Sequence, residues 1–233
     1  MATAKTCYAL PMSSAAEPSL RERKKEQTRH VIAETAMRLF AERGFDPVTV
    51  AEVARAANVS EGTVFNYFPT KEDLFYGQME VFEASLVEAV RVRAPGESVL
   101  AAFRRFVLEG TVRLAAEEVA DVIATTARVV SASPALQARE QEIVAAYTRA
   151  LAELVADETG AAPGDVEPWA VANALMGVQR GLVARVRSQV LDGRSGAELA
   201  ADARSQGKRA FVRLERGLAD YAVKRRRRGG AAR

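Results

Sequence analysis

The chain has 233 residues, 48% hydrophobic and 27% charged, which suits one or two globular domains, and no run of eighteen apolar residues offers a membrane span. One cysteine, Cys7, excludes an intrachain disulfide, and with a single histidine, His30, little is left for a zinc site or a histidine-based triad, so no cofactor is expected. The net charge of +3 is uneven: the last ten residues, KRRRRGGAAR, carry six basic groups and no acid, leaving 27 basic against 30 acidic residues elsewhere, so a case for nucleic acid must come from local clusters.

Residues 1–20 are rich in Ala, Ser, Thr and Pro without periodicity and lack an apolar signal-peptide core, so a disordered extension and a cytoplasmic location are expected. The helical pattern opens on RERKKEQTRH, where Arg21, Arg23, Lys24, Lys25 and Arg29 outnumber Glu22 and Glu26; alone, such a run is a solvated helix face, and His30 reads as a surface or packing residue of it. Ile32, Ala36, Leu39 and Phe40 recur at helical spacing until Gly44 supplies a stop. After the Asp46-Pro47 turn, Thr49-Val50-Ala51-Glu52 is a capping box that starts a short second helix, and Asn58 suits its left-handed end. Ser60 caps a third helix closed by Pro69, and Thr70-Lys71-Glu72-Asp73 opens a fourth, running to about Val92. Pro- and Gly-containing breaks then divide the rest into helices near 97–115, 117–131, 135–158, 166–191 and 196–223. The fold class is all-α, with about nine helices and no convincing strand.

Thr49–Ala57 and Ser60–Phe68, joined by a tight turn, form a helix-turn-helix candidate. Val50, Val53, Val59, Val64 and Phe68 supply its buried side, with Ala54 small where the helices approach. With Val64 and Phe68 inward, Gly62, Thr63, Asn66 and Tyr67 turn outward. Each suits a DNA groove: Gly62 allows close approach, Thr63 can touch a phosphate or a thymine methyl, Asn66 can pair bidentately with adenine, and the Tyr67 hydroxyl can reach a phosphate. Lys71 would add a phosphate clamp, and the amides around Thr49 would favour phosphate as well. Five of the chain's fifteen aromatic residues fall between Phe65 and Tyr76, and they divide: Phe68 and Phe75 toward the core, Tyr67 with Phe65 toward DNA.

GFDPVTVAEVARAANVSEGTVFNYFPTKEDLF resembles the DNA-binding domain of tetracycline-repressor (TetR)-type transcriptional regulators. The resemblance rests on Phe40-Ala41-Glu42-Arg43-Gly44-Phe45, on the Thr-x-x-x-Ala second helix, and on a Gly-x-x-Tyr-x-His/Tyr-Phe recognition helix followed by Lys-Glu-x-Leu; it covers about Glu26 to Phe75. Phe65 stands where the family often has tyrosine, so a phosphate role does not carry over to it, and packing or contact with a thymine methyl remain as its roles. The resemblance implies DNA contacts from Thr49, Ser60, Thr63, Asn66, Tyr67 and Lys71, with Arg21, Arg23, Lys24, Lys25 and Thr28 contacting backbone or minor groove. With the composition of the two ends, it gives a domain order of 1–20 disordered extension, 21–69 DNA-binding domain, 70–223 ligand-binding and dimerisation domain, and 224–233 basic disordered tail. Its implied partners are a double-stranded DNA operator, a small-molecule effector and a second copy of the chain.

In the body, Val171, Leu175, Val178 and Leu182 form one apolar seam and Phe211, Leu214, Leu218 and Tyr221 another. Such seams are either intrachain core or two helices of a four-helix dimer interface, which Gly177 and Gly181 would bring close. The family resemblance also implies a ligand cavity in the middle helices, for which Phe103, Phe106, Arg128, Tyr147 and Trp169 are candidates, with ordinary core as the alternative; Arg128 stands out because a cation buried in an apolar helix needs a partner. The expected function is a ligand-responsive repressor that is no enzyme. The alternatives are an α-helical small-molecule-binding protein or enzyme without specific DNA binding, and a sequence-independent DNA-coating protein.

Overall fold

Hydroxyl-bearing residues start the N-terminal helices, as the local sequence predicts. The computed structural model describes residues 19–218 and Val223, excluding the side chains of 78–80. Among them are nine α-helices and one 3-10 turn, and no strand: α1 Leu20–Arg43, α2 Val50–Ala56, α3 Glu61–Tyr67, α4 Lys71–Arg91, α5 Val99–Gly110, the 3-10 turn Thr111–Ala115, α6 Glu117–Ala132, α7 Pro134–Thr159, α8 Glu167–Leu191 and α9 Gly196–Leu218. Cys7, residues 1–18 of the expected disordered extension, Tyr221 and the tail from Lys224 lie outside the described residues, while Ser19 and Leu20, assigned to that extension, begin α1.

Ser19 caps α1 through a box with Glu22 that the periodicity did not reveal, and Gly44 ends it at φ 83°, donating to the Phe40 carbonyl. The expected boxes at Thr49/Glu52 and Thr70/Asp73 are both present; in the second, the Thr70 amide meets Asp73 Oδ2 at 2.9 Å and the Asp73 amide meets Thr70 Oγ1 at 3.2 Å. Asn58 takes φ 55° in the turn between α2 and α3, a conformation its short polar side chain tolerates. The expected helix near 97–115 is broken: α5 stops at Gly110 and the chain tightens into the 3-10 turn.

The described contacts form two compact units. The first contains the chain up to Phe82 together with Ala124–Gln141. Its core holds the expected Ile32, Ala36, Leu39 and Phe40 with Phe45, Val53, Val64, Phe68, Phe75 and Tyr76. The rings of Phe40 and Phe45 lie 5.0 Å apart and those of Phe75 and Tyr76 also 5.0 Å, spacings typical of favourable aromatic pairs. Three polar contacts tie the start of α7 into this unit: Tyr76 Oη donates to the Leu136 carbonyl (2.9 Å), Ser133 Oγ to Asp46 Oδ1 (2.8 Å) and Arg139 Nη2 to Asp73 Oδ1 (2.9 Å).

The second unit comprises Glu83–Ile123 and the chain from Glu142. There α9 packs on α8, α5 and the 3-10 turn. Gly207 permits the approach, since a Cβ at that position would lie 2.8 Å from Leu108 Cδ2 and 3.3 Å from Leu182 Cδ1. Arg185 grips Asp202 through two hydrogen bonds of 2.6 and 2.9 Å. Of the two seams read as either intrachain core or dimer interface, Leu175 and Phe211 are fully buried in their own chain and Leu182 nearly so, with the Phe211 ring 6.1 Å from that of Phe103. Val178, Leu214 and Leu218 keep partial exposure.

Candidate nucleic-acid interface

Seven residues are too few for α3 to persist alone, so its neighbours and its ends set its position. Val64 and Phe68 anchor its inner side, 1% and 2% exposed. Gly62, Phe65 and Asn66 are exposed, Phe65 to 48%, and Thr63 and Tyr67 are half-buried at the margin. Ser60 Oγ receives the Thr63 amide at 3.0 Å and shares a 2.8 Å hydrogen bond with the Thr63 hydroxyl. Ser60 and Thr63 thus shape the helix start as well as standing on its rim.

At the head of α2, Thr49 donates its amide to Glu52 Oε2 (2.9 Å) and receives the Glu52 amide on its hydroxyl (3.2 Å). Those two amides are therefore occupied, which narrows the expected phosphate site. Arg43 reaches the same carboxylate at 2.8 Å. The Thr49 amide first, then Arg43, hold the Glu52 carboxyl down at about 2, against an ordinary 4.5. A carboxyl depressed in this way stabilises the fold fully above its ordinary value, and that contribution is lost as pH falls through about 2. We expect the Glu52 carboxyl resonance to titrate well below pH 4; a midpoint near its ordinary value would remove the cap from solution.

Lys71 has a structural role that the sequence did not show. Half-buried, its Nζ donates to the carbonyls of Phe45 (2.7 Å) and Asp46 (3.2 Å) and sits 4.2 Å from the Phe45 ring centroid. Loss of hydration lowers its pKa. Two of the three ammonium donors thus pin the turn between α1 and α2, which leaves one for a phosphate.

On α1, Arg21, Arg23, Lys24 and Lys25 are exposed, Thr28 is half-buried with its hydroxyl on the Lys24 carbonyl (2.9 Å), and His30 pairs with Glu34 at 3.2 Å on the surface. Arg29 separates from this cluster: its guanidinium turns inward to the Tyr67 carbonyl at 3.1 Å, a contact that helical spacing within α1 does not reveal.

The five effector candidates do not share one environment. Phe103 is fully buried, Phe106 nearly so, Tyr147 half-buried and Trp169 44% exposed. Arg128 belongs to the first unit while the other four belong to the second, and it is exposed. Water hydrates its charge, so the buried cation expected there is corrected. Among the described residues no cluster of His, Cys, Asp and Glu could hold a metal ion, and no helix is long and apolar enough to cross a membrane.

Two short helices meeting at a left-handed Asn58, the second showing a glycine and an asparagine outward, define a helix-turn-helix DNA-binding head. Residues 32–76 match the family model for bacterial regulatory proteins of the tetR family, and residues 97–219, more than half of the chain, match the MftR C-terminal domain. The chain belongs to the tetR family and is a DNA-binding transcriptional regulator. It is 29% identical over 163 residues to MftR of Mycobacterium tuberculosis, a protein named for regulating mycofactocin biosynthesis, covering 67% of this chain and 78% of that one. The regulator TcmR of Streptomyces glaucescens is 33% identical over 85 residues, 36% of this chain and 38% of its own. Among solved structures, NalD of Pseudomonas aeruginosa superposes with a TM-score of 0.53 at 23% identity, over 82% of this chain and 96% of that one, and so shares the fold.

Proposed function

We propose that the protein is a cytoplasmic repressor and not an enzyme, that it binds a near-palindromic operator as a homodimer, and that a small molecule taken up in its second unit releases it. The observation that carries this reading is the outer face of α3, where Gly62 and Asn66 stand exposed while Val64 and Phe68 hold the helix from behind. Asn66 reads a base; Tyr67, Thr63, Ser60 and Thr49 hold the register on phosphates; Arg21, Arg23, Lys24, Lys25 and Thr28 add backbone contacts from α1. Two such heads in a dimer read half-sites about 34–36 Å apart or a multiple of that. The dimer face lies along α8, where Gly177 and Gly181 are exposed and a Cβ would meet nothing within 4 Å, with Val178, Leu214 and Leu218 at its margin. Phe106 and Tyr147 line the effector site. The MftR-type C-terminal domain supports carrying over the regulated process as well, mycofactocin biosynthesis.

Selection of random and genomic DNA fragments on the purified protein at near-physiological salt tests this reading. A two-fold symmetric motif beside such genes is the expected result; fragments without a shared motif would overturn it. Asn66→Ala is expected to cost ~1–3 kcal/mol at one base position, measured by anisotropy on duplexes varied one base at a time. An equal loss on every duplex would make Asn66 a backbone contact instead.

A further inference from the structure

The recognition helix α3 carries no basic residue in its last turn, although the carbonyls at a helix C-terminus hold a partial negative charge that a cation stabilises. The cation comes from another helix. Arg29, ten residues into α1, sends Nη1 to the carbonyl of Tyr67, the last residue of α3, at 3.1 Å. The same guanidinium lies over the ring of Phe68, its Cζ 4.6 Å from the centroid, and that ring is 2% exposed. Gly77 of α4 abuts both groups: a Cβ there would lie 3.3 Å from Arg29 Nη2 and 3.4 Å from Phe68 Cε1. A flat cation thus lies over an aromatic face, beside a helix surface without a side chain, a setting that favours guanidinium over ammonium.

We infer that Arg29 is a positioning residue for sequence recognition, locking the C-terminal end of α3 as Ser60 locks its start, and is not itself a DNA contact. This rests on the DNA-reading role proposed above for the outer face of α3. Without the lock, the helix is tied at Ser60 but its far end can swing, which displaces Asn66 from the base edge. Contacts made by Arg21, Lys24 and Lys25 to the DNA backbone are indifferent to such a swing. Loss of Arg29 therefore reduces discrimination between sequences and spares general affinity for DNA.

The test compares the full-length wild type with Arg29→Met and Arg29→Lys, measuring affinity for the selected operator and for an unrelated duplex across a salt series, with a thermal melt of each protein. Arg29→Met is expected to weaken operator binding about 30-fold, the order of a lost hydrogen bond to a charged group, with affinity for the unrelated duplex within threefold of wild type. Arg29→Lys keeps the donor and the charge but not the flat stack, and is expected to recover about half of that loss on a logarithmic scale. The slope of log affinity against log salt should be the same in all three proteins. A slope shallower by about 0.9 would make Arg29 a phosphate contact and overturn the inference, as would an unchanged ratio of operator to unrelated affinity. If Arg29→Met does not fold, Arg29→Lys decides: a reduced ratio at unchanged slope supports the lock, and an unchanged ratio overturns it. A wild type that prefers no sequence overturns the DNA-reading role and this inference together, whereas a wild-type preference untouched by both substitutions overturns the lock alone.

Discussion

Gly62→Leu is expected to yield a protein at least as stable as the wild type that binds its operator about 100-fold more weakly, the order of losing two base contacts. The two effects have opposite signs because one arises in the backbone of the helix and the other at its DNA-facing surface. Glycine costs a helix up to about 0.8–1.0 kcal/mol relative to a good helix former. Nothing in the fold requires it here: a Cβ at Gly62 would find its nearest neighbour, Ser60 Oγ, at 3.8 Å. The position is exposed and on the face that also shows Asn66. A four-carbon side chain there holds α3 off the groove floor and takes Asn66 out of reach of a base edge, where bidentate geometry is strict. Thermal melts and operator titrations of the same preparation check both halves. A leucine variant that kept operator affinity within threefold would remove this face from the DNA.

The second unit has its own weak point. Arg93 is 2% exposed and gives Nη1 to the Val90 carbonyl (2.8 Å) and Nε to the Glu97 carbonyl (3.1 Å). Its charge is neutralised by Glu158 near the end of α7, which meets Nη1 at 3.1 Å and also binds Nη2. Carbonyl dipoles solvate a guanidinium only in part, and water cannot reach this one. Glu158→Ala is therefore expected to destabilise the protein by about 3 kcal/mol, the lower end of the cost of stranding a buried charge, because Glu158 itself is partly exposed. Removing both charges, Arg93→Met with Glu158→Leu, should recover most of that loss, since no ion then remains to be solvated. Urea unfolding of the three proteins measures both quantities. A single-mutant loss below about 1 kcal/mol would show that the contacts left to Arg93, the two carbonyls and the nearby Glu97 carboxylate among them, carry the cation.

Local chemistry was the legible part. The capping boxes at Thr49 and Thr70, the left-handed Asn58, the stop at Gly44 and the spacing of Ile32, Ala36, Leu39 and Phe40 each depend on residues within one or two turns of one another. They could be read without knowing where the chain goes next, and the structure bears them out. The inward turn of Val64 and Phe68, which leaves Gly62 and Asn66 outside, follows from the same short-range geometry.

Long-range contacts decided the rest. Whether the seam through Phe211 faces its own chain or a second copy depends on what lies opposite, and Phe103, more than a hundred residues from Phe211, lies against that ring. That Lys71 also holds the Phe45 and Asp46 carbonyls is visible only in the fold, and Arg29 reads as one more surface cation until Tyr67, 38 residues on, is seen to accept from it. No sequence boundary shows that Ala124–Gln141 joins the unit containing the helix-turn-helix, because the groups that hold it there, Asp46, Asp73 and Tyr76, are at least sixty residues earlier. Helix identity is set by neighbours three and four residues away. Which charges are spent on holding the fold and which remain for DNA is set by neighbours that only the folded chain brings together.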